Sequence, residues 1–380
     1  MSKKVLITGG AGFIGSNISS KLSTMGFEVT VLDSLSPQIH GKDPYKDSFT
    51  FNSLLTSGVR FIKGSVTNRN DWVKALDDQD MVIHLAAETG TGQSMYQVEK
   101  YTEVNVLGTA ILLDILSNEP HSIRKLIIAS SRAIYGEGKY KCELHGNVYP
   151  DARKEEHLVN KDFECKCPVC GGVIELQPTD EHSLSKPTSV YGISKQTQEQ
   201  MILVSGKALN IPSIAFRYQN VYGPGQSLSN PYTGILSIFS TQLKNNHNLN
   251  IFEDGKESRD FVFIDDVVDA TISGLLNDEG NYKVLNVGSG EATEVINVAR
   301  LLKEYYNSEA DINITGNFRI GDIRHNYADL SLTQKLLNFS PKFSFKEGLT
   351  LFCDWVNQQE IKNDHYEDSL HLMKTKGLFK

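Results

Sequence analysis

Tyr191 and Lys195 are spaced for acid–base chemistry. They lie four residues apart, in a stretch at 190–209 whose pattern predicts a long helix, so both side chains would lie on one face. A free tyrosine is a poor base at neutral pH because its pKa is about 10. A neighbouring ammonium favours the phenolate and lowers that pKa. Tyr191 could then take the proton of a hydroxyl group, although the same spacing also arises by chance in solvated helices.

Four of the five cysteines crowd between positions 142 and 170. The candidate ligands form a Cys-x-x-His pair, Cys142 and His145, and a Cys-Pro-x-Cys-Gly knuckle, Cys167 and Cys170. Such short spacings let each turn direct two ligands at one ion, which predicts a closed, structural Zn2+ site. Cys165 could replace one of these ligands, and reduced thiols scattered in a loop are the alternative.

A glycine-rich turn near the start has the pattern of a dinucleotide site. A predicted strand at 4–8 leads into Gly9, Gly12 and Gly15, and a helix is predicted at 17–25. The glycines allow a tight turn, the approach of a pyrophosphate and close packing of the helix on the sheet. The helix N-terminus would attract the phosphates.

A second predicted strand at 27–32 ends on Asp33, which would accept hydrogen bonds from the adenine ribose. Ser34 and Leu35 provide no arginine for a 2′-phosphate, so the cofactor is predicted to be NAD rather than NADP. The positive nicotinamide ring would then lower the pKa of Tyr191 further. Lys195 would also hold the nicotinamide ribose.

The surrounding chain predicts an α/β fold with a Rossmann-type, doubly wound parallel sheet. Further strands are predicted at 59–63, 80–85, 125–130 and 213–217, and helices at 70–76 and 97–118. The later half carries a predicted strand at 248–252, a strand at 284–287 that returns to the sheet, and helices at 267–277, 292–307 and 331–338. We therefore expect an NAD-binding domain at 1–212 with the cysteine-rich insert at 138–180, and a smaller substrate-binding lobe at 213–360. The tail at 361–380 is expected to be a terminal helix that is partly disordered.

Composition limits the partners of the protein. The 380 residues carry a net charge of -8 with 39% hydrophobic and 22% charged residues, which does not favour a nucleic-acid partner. No apolar run approaches the roughly 20 residues of a membrane span, and the chain enters its first strand without room for a signal peptide. We therefore expect a cytoplasmic protein without disulfides, in which Cys353 is buried packing.

Several motifs together resemble the extended short-chain dehydrogenase/reductase family, in its nucleotide-sugar epimerase/dehydratase branch. The likeness covers residue 3 to about 355 apart from the insert. The motifs that carry it are Thr8-Gly-Gly-Ala-Gly-Phe-Ile-Gly15, His84-Leu-Ala-Ala87, Asn105-Val-Leu-Gly-Thr109, Ser130-Ser-Arg-Ala-Ile-Tyr-Gly136, Tyr191 with Lys195, Arg217-Tyr-Gln-Asn-Val-Tyr-Gly-Pro-Gly225, Arg259-Asp-Phe-Val-Phe-Ile-Asp-Asp266 and Asn286-Val-Gly-Ser-Gly290.

The resemblance implies a role for each matching residue. Ser131 would complete a catalytic triad with Tyr191 and Lys195 and would hold the substrate. The residues implied at the cofactor are Gly9, Gly12, Phe13, Ile14, Gly15, Asp33, Ser65, Val66, Leu85, Ala86, Ala87, Asn105, Lys195 and Tyr218. Those implied at a nucleotide-diphosphate sugar are Thr89, Ser131, Asn220, Arg259 and Arg324. Family members commonly dimerise through the helices at 97–118 and 190–209, which implies a homodimer.

Structural roles are open for some of these residues. Asn105 could tie the backbone inside the sheet–helix layer instead of touching the cofactor. Arg217 is expected in a structural ion pair, Arg319 could be a surface residue, and His84 is expected to pack at a strand end.

The residues after Ser131 indicate which reaction is carried out. Sugar dehydratases of the resembled family carry Thr-Asp-Glu where this chain has Ser131-Arg132-Ala133, so the acid and base for elimination are missing. Epimerisation remains, most often at C4, by transient oxidation to a keto sugar and return of the hydride to the opposite face. Segments 88–94 and 319–325 resemble a subgroup that acts on dTDP-6-deoxyhexoses such as dTDP-L-rhamnose. A dehydrogenase or reductase of such a sugar nucleotide is the alternative, followed by a non-catalytic NAD sensor.

Overall fold

The computed structural model describes residues 3–232, 234–361 and 366–380. Its centre is a seven-stranded, fully parallel sheet with the spatial order β3-β2-β1-β4-β5-β6-β7, numbered along the chain. The strands are β1 Lys4–Thr8, β2 Glu28–Asp33, β3 Arg60–Lys63, β4 Met81–His84, β5 Lys125–Ser131, β6 Ser213–Tyr218 and β7 Lys283–Val287. This is the doubly wound Rossmann order, so the predicted α/β sheet, including the late strand that returns to it, is confirmed.

The apolar strand sequences follow from burial on both faces of the sheet. In β1, Val5 and Ile7 enter one core cluster while Leu6 enters the other, as the two-residue period of a strand requires. Ile18 of the first helix packs in the first cluster, and Trp72 packs in the second. Helices of seven or more residues here are Phe13–Thr24, Phe49–Thr56, Arg69–Leu76, Val190–Ala208, Ile235–Lys244, Ile264–Leu276, Val295–Tyr306, Ser331–Leu337 and Phe345–Asn357.

The helix predicted at 97–118 is present but irregular. It begins as Val98–Tyr101, widens into a π-helical turn at Thr102–Leu107, and continues as Gly108–Asn118. Such turns are rare and often lie at functional sites. This one carries Asn105, which is buried.

Short strand pairs hold the second lobe over the carboxyl end of the sheet. Asn220–Tyr222 pairs with Phe261–Phe263, and Leu249–Ile251 pairs with Ile312–Ile314. Ser258–Arg259 lies between two further strands. The lobe therefore places its residues opposite the strand ends that carry the glycine-rich turn.

The cysteine-rich insert forms a small antiparallel sheet with one helix. Its strands are Tyr140–Cys142, Gly146–Val148 and Glu175–Leu176, and its helix is Glu155–Val159. Arg153 joins the insert to the lobe, with its Nη1 2.8 Å from Glu253 Oε2 and its Nε 3.2 Å from Glu137 Oε1. All three side chains are buried, so this contact is part of the core rather than a surface ion pair.

The described part of the tail is ordered against the lobe. The helix Tyr366–Thr375 buries Tyr366, Leu370 and Met373, and the backbone N–H of Lys380 donates to the carbonyl of Phe318 at 3.0 Å. The predicted terminal helix is therefore present. Residues 362–365 of that prediction lie outside the described residues.

No helix among the described residues is long and apolar enough to cross a membrane.

Candidate active site

A cavity of about 1090 Å³ lies between the sheet and the lobe. It opens at the carboxyl ends of β1, β2, β4, β5 and β6, where ligands bind in open α/β sheets. Its volume is at the upper end of the range for a single small ligand. The predicted residues that line it are Gly9, Gly12, Phe13, Ile14, Gly15, Asp33, Ser65, Val66, Leu85, Ala86, Ala87, Thr89, Ser131, Tyr191, Lys195, Tyr218, Asn220 and Arg259.

The glycine-rich turn leaves no space for side chains. Gly9 has a φ of +67°, and a Cβ there would lie 2.8 Å from the backbone N of Ala86. A Cβ on Gly15 would lie 2.3 Å from the carbonyl oxygen of Gly9. The helix Phe13–Thr24 begins directly after this turn without a side-chain cap. Its free N–H groups therefore face the cavity as a site for phosphate oxygens, which fits a dinucleotide.

Asp33 ends β2 with its carboxylate held in place by backbone groups. Its Oδ2 accepts from the N–H of Ala11 at 3.0 Å, and its Oδ1 accepts from the N–H of Leu35 at 2.9 Å. Each carboxylate oxygen keeps a further lone pair for a ligand hydroxyl. The side chain is therefore fixed in the cavity wall where the predicted ribose contact would form.

Ser131 and Tyr191 are brought together by the ends of β5 and the helix Val190–Ala208. Ser189 caps that helix, since its Oγ accepts from the N–H of Gly192 at 3.1 Å. Burial raises the pKa of Tyr191, while a hydrogen bond with Ser131 and the positive charge of Arg132 lower it. The structure thus places Ser131, Tyr191 and the cation of Arg132 around one part of the cavity.

Lys195 lines the cavity, and its side chain is buried. Its Nζ donates to Gln198 Oε1 at 2.7 Å, and burial lowers its pKa to about 7, against the opposing charge of Glu199. The positive charge that acts on Tyr191 here is that of Arg132. Arg132 is therefore a further cation that lowers the pKa of Tyr191, and the effect expected of the Lys195 ammonium stays a prediction.

Asn105 does not line the cavity. It is fully buried, its Oδ1 accepts from the N–H of Glu88 at 2.8 Å, and its Nδ2 donates to the Glu88 carbonyl and to Ser194 Oγ. The structural role left open by the sequence is the one observed, and the predicted cofactor contact is corrected.

Arg324 is the second correction. Its side chain has no exposed surface, and its guanidinium pairs with Glu164, Glu253 and Asp254 instead of facing the cavity. Arg319, for which the sequence left a surface position open, lines the cavity and pairs with Asp322 at 2.7 Å. Arg319 rather than Arg324 is therefore the arginine of this segment that reaches the cavity.

The structural roles expected for His84 and Arg217 are observed. His84 is buried between Thr8 Oγ1 at 2.7 Å and Thr109 Oγ1 at 3.0 Å, and burial lowers its pKa to about 3, so it stays neutral. Arg217 forms a buried ion pair with Glu199 at 2.6 Å. Tyr218 lines the cavity, but its hydroxyl is bonded to Thr271 Oγ1.

Among the residues that line the cavity, Arg132 and Glu257 were not predicted as site residues from the sequence. Arg132 was considered only because it stands where the dehydratases carry an acid. Its place directly after Ser131 nevertheless puts it near the reacting groups. Glu257 is buried with no hydrogen-bond partner for its Oε2 among the described residues, and burial raises its pKa to about 7. Its spacing of two from Arg259 along an extended segment would have placed both on one side.

The four predicted metal ligands converge in the insert. The Sγ of Cys142 lies 3.4 Å from His145 Nδ1 and 3.9 Å from the Sγ of Cys170, and Cys167 Sγ lies 3.6 Å from the same imidazole nitrogen. All four ligand atoms lie within 4.8 Å of one another. A tetrahedral Zn2+ with bonds of about 2.3 Å requires ligand atoms about 3.8 Å apart.

The two remaining cysteines lie outside this group. Cys165 is buried beside Glu137 and Tyr140, and burial raises the pKa of its thiol. The described structure therefore gives Cys165 no place among the ligands. Cys353 is fully buried, as predicted.

The fold and the site define an NAD-dependent enzyme of the extended short-chain dehydrogenase/reductase class. The chain belongs to the NAD dependent epimerase/dehydratase family, whose model matches residues 5–153 and 167–288. It is 36% identical to a dTDP-L-rhamnose 4-epimerase of Burkholderia thailandensis over 94% of this chain and 96% of that protein. It is 27% identical to a UDP-N-acetyl-alpha-D-glucosaminuronate decarboxylase of Bacillus cytotoxicus, over 96% and 100%. The solved structure of a UDP-glucuronic acid 4-epimerase from Bacillus cereus, in complex with UDP-glucuronic acid and NAD, superposes with a TM-score of 0.75 at 26% identity, covering 93% of this chain and 99% of that one.

Proposed function

We propose that the protein is a nucleotide-sugar 4-epimerase that acts on a dTDP-6-deoxyhexose such as dTDP-L-rhamnose. The observation that carries the proposal is the cavity around Ser131 and Tyr191. The two residues after Ser131 along the chain, Arg132 and Ala133, also line it. A hydroxyl can be deprotonated there, but no acid–base pair is positioned after Ser131 for eliminating water. The relatives include a decarboxylase, so family membership alone does not decide the reaction. The 36% identity with the Burkholderia thailandensis enzyme supports the choice of substrate.

In the proposed reaction, Ser131 holds the C4 hydroxyl of the sugar while Tyr191 takes its proton. NAD, when bound, accepts the hydride from C4 and later returns it. The keto sugar rotates in the site between the two steps. Tyr191 then gives its proton back to the C4 oxygen as the hydride returns to the opposite face of the sugar. Oxidation and reduction cancel, so no reductant is consumed.

The reaction can be tested with dTDP-L-rhamnose deuterated at C4. We expect NMR to show conversion to the C4 epimer with the deuterium kept, because the hydride never leaves the site. Absorbance at the NADH band should not rise during turnover. Stoichiometric NADH, or a strict need for added NADPH or NADH, would instead identify a dehydrogenase or reductase, and bound NAD without turnover of any sugar nucleotide would favour the sensor.

Asp33 is proposed to select NAD through the ribose hydroxyls. Asp33→Asn keeps the shape but removes the charge and replaces one of the two oxygens that accept from backbone N–H groups. NAD binding should therefore weaken roughly tenfold or more, and discrimination against NADP should shrink because the like-charge repulsion of a 2′-phosphate is gone. Titration of the purified protein with both cofactors measures this. Asp114→Asn, at an exposed ion pair with Arg69, is the matched control. Equal affinity of the unaltered protein for the two cofactors would refute the proposal.

We also propose that Cys142, His145, Cys167 and Cys170 hold one structural Zn2+. The convergence of three sulfurs and one imidazole supports this, because such a donor set suits zinc and leaves no open position for a substrate. The ion would fix the insert, and it would take no part in the hydride transfer.

The homodimer stays a proposal. The helices expected at its interface expose Leu107, Ile193 and Val204, which a partner could cover. Light scattering of the purified protein tests it, since a mass near that of one 42.3 kDa chain would argue against it.

A further inference from the structure

We propose that Glu257 binds a hydroxyl group of the nucleotide sugar and is a specificity-determining residue of this cavity. This role rests on the proposed function, because it takes the ligand of the cavity to be a nucleotide sugar. It gives that ligand a contact on the lobe, in addition to the contacts expected at Ser131 and Tyr191.

The backbone of Glu257 is fixed within the lobe. The residue directly precedes the short strand Ser258–Arg259, which lies between the strands Thr293–Glu294 and His325–Asn326. The carbonyl of Glu257 accepts from the N–H of Val295 at 2.9 Å. The side chain lines the cavity, and the residue is only 9% exposed. The carboxyl group is therefore held at the cavity by a paired segment, unlike a mobile carboxylate at the surface.

One oxygen of this carboxyl group lacks a partner. Oε2 of Glu257 is buried and accepts no hydrogen bond from the residues that the structure describes. A buried polar atom without a hydrogen bond is costly, and the large majority of buried polar side-chain atoms in folded proteins have a partner. Because the side chain lines the cavity, a bound ligand can supply the missing bond.

The cation of Arg324 does not supply this bond. Its Nη1 lies 3.9 Å from Oε2 of Glu257, which is longer than a hydrogen bond. The same guanidinium is already held at 2.6 to 3.0 Å by three other carboxylates, those of Glu164, Glu253 and Asp254. One positive charge is thus shared among three negative ones, so little of it is left for Glu257.

Arg259, two residues further along the chain, also has other partners. Its guanidinium donates to three backbone carbonyls, those of Ser258, Ile323 and Arg324, at 2.7 to 2.9 Å. The charge of Arg259 lowers the pKa of Glu257, but burial outweighs it and raises that pKa to about 7. Whether ionised or protonated, the carboxyl group keeps an oxygen that can accept a hydrogen bond.

The chemistry of Glu257 suits a hydroxyl group better than the charged parts of a nucleotide sugar. A hydroxyl can donate to a carboxylate, and it can also accept from the protonated acid. Phosphate oxygens and the carboxylate of a uronic sugar are negatively charged acceptors, which an ionised Glu257 would repel. The hydroxyls of a nucleotide sugar lie on the ribose and on the hexose, and matched ligands separate these two sources.

The test measures the affinity of the NAD-loaded protein for dTDP, dTDP-L-rhamnose, UDP and UDP-glucose by calorimetry, without turnover. Glu257→Met removes both carboxyl oxygens at similar side-chain size, so the affinity for the nucleotide sugars should fall roughly tenfold or more. Glu257→Gln keeps one acceptor oxygen and should lose less. Glu304→Met, at an exposed position of the helix Val295–Tyr306, is the matched control and should bind as the unaltered protein does.

The four ligands show which hydroxyl is bound. If the 3′-hydroxyl of the ribose is bound, Glu257→Met should weaken dTDP and UDP as much as the nucleotide sugars. A loss confined to UDP and UDP-glucose would identify the 2′-hydroxyl, which dTDP lacks, and a loss confined to the two nucleotide sugars would identify the hexose. In each case the unfolding temperature of the ligand-free variant should not fall, because Oε2 accepts no hydrogen bond from the described residues.

Unchanged affinity of Glu257→Met for all four ligands would overturn this role. Equal losses in the Met and Gln variants, together with a lower unfolding temperature, would also overturn it, because they would indicate a purely structural residue. If the unaltered protein bound none of the four ligands, this role and the proposed function would both be wrong. Binding without epimerisation would contradict the proposed function alone, since nucleotide binding needs no catalysis.

Discussion

Tyr191→Phe is expected to lower kcat by about 10²- to 10⁴-fold, the usual contribution of a positioned acid–base group, while NAD still binds. The change removes one hydroxyl and leaves the ring, which packs edge-on against Tyr101 at 6.4 Å between ring centres. The proton relay is therefore lost without a cavity in the core. Activity should be measured by NMR of the sugar, and NAD binding by calorimetry.

The same variant should change the pH dependence. A base must be deprotonated to act, and burial raises the pKa of Tyr191 in the structure, so kcat should rise with pH until the phenolate forms. The residual activity of Tyr191→Phe should lack this rise. Tyr45→Phe is the matched control, because Tyr45 is exposed and lies outside the cavity lining. Near-normal activity in Tyr191→Phe, or loss of its NAD, would remove the tyrosine from the proposed mechanism.

The cofactor half of the site could be predicted because its geometry is local. Gly9, Gly15 and Asp33 lie within one βαβ unit, and the steric demands at the glycines follow from a turn, a helix and two strands that are adjacent in sequence. The strand positions followed in the same way, since each strand is an apolar run buried on both faces. For Asn105 the sequence left a cofactor contact and a structural role open, and only the folded chain shows its buried hydrogen bonds with Glu88 and Ser194.

The substrate half could not be predicted with the same success because its contacts are distant in sequence. Arg319 and Arg324 lie on one segment, and contacts with other parts of the chain determine which of them faces the cavity. Glu164 from the insert, with Glu253 and Asp254 from the lobe, draws Arg324 inward. No spacing rule connects residues some 160 positions apart along the chain, and only the folded insert brings that carboxylate into place.

The contacts of the insert determine which part of the cavity loss of the metal should disturb. Its own hydrophobic cluster is small, with Tyr140, Cys142, Val148, Cys165 and Cys167 as its buried members, and a core of that size rarely folds without a metal or a similar constraint. Two of the five are proposed zinc ligands. Arg153 of the insert also donates to the carbonyl of Asp322 at 2.9 Å, and Asp322 holds Arg319 in the cavity wall. A disordered insert should therefore disturb the substrate half of the cavity and spare the glycine-rich turn.

Cys167→Ser is accordingly expected to reduce bound zinc from about one ion per chain to far below that, measured by elemental analysis of protein purified without chelator. The unfolding temperature should fall, and KM for the sugar nucleotide should rise while the affinity for NAD is kept. Cys165→Ala is the matched control, since it removes a thiol of the same insert that lies outside the ligand group, and it should keep its zinc. Metal-free protein with full activity, or equal zinc in both variants, would contradict the proposed site. Zinc loss with KM unchanged would keep the site but show that the ion pairs of Arg153 and Arg324 hold the cavity without the metal.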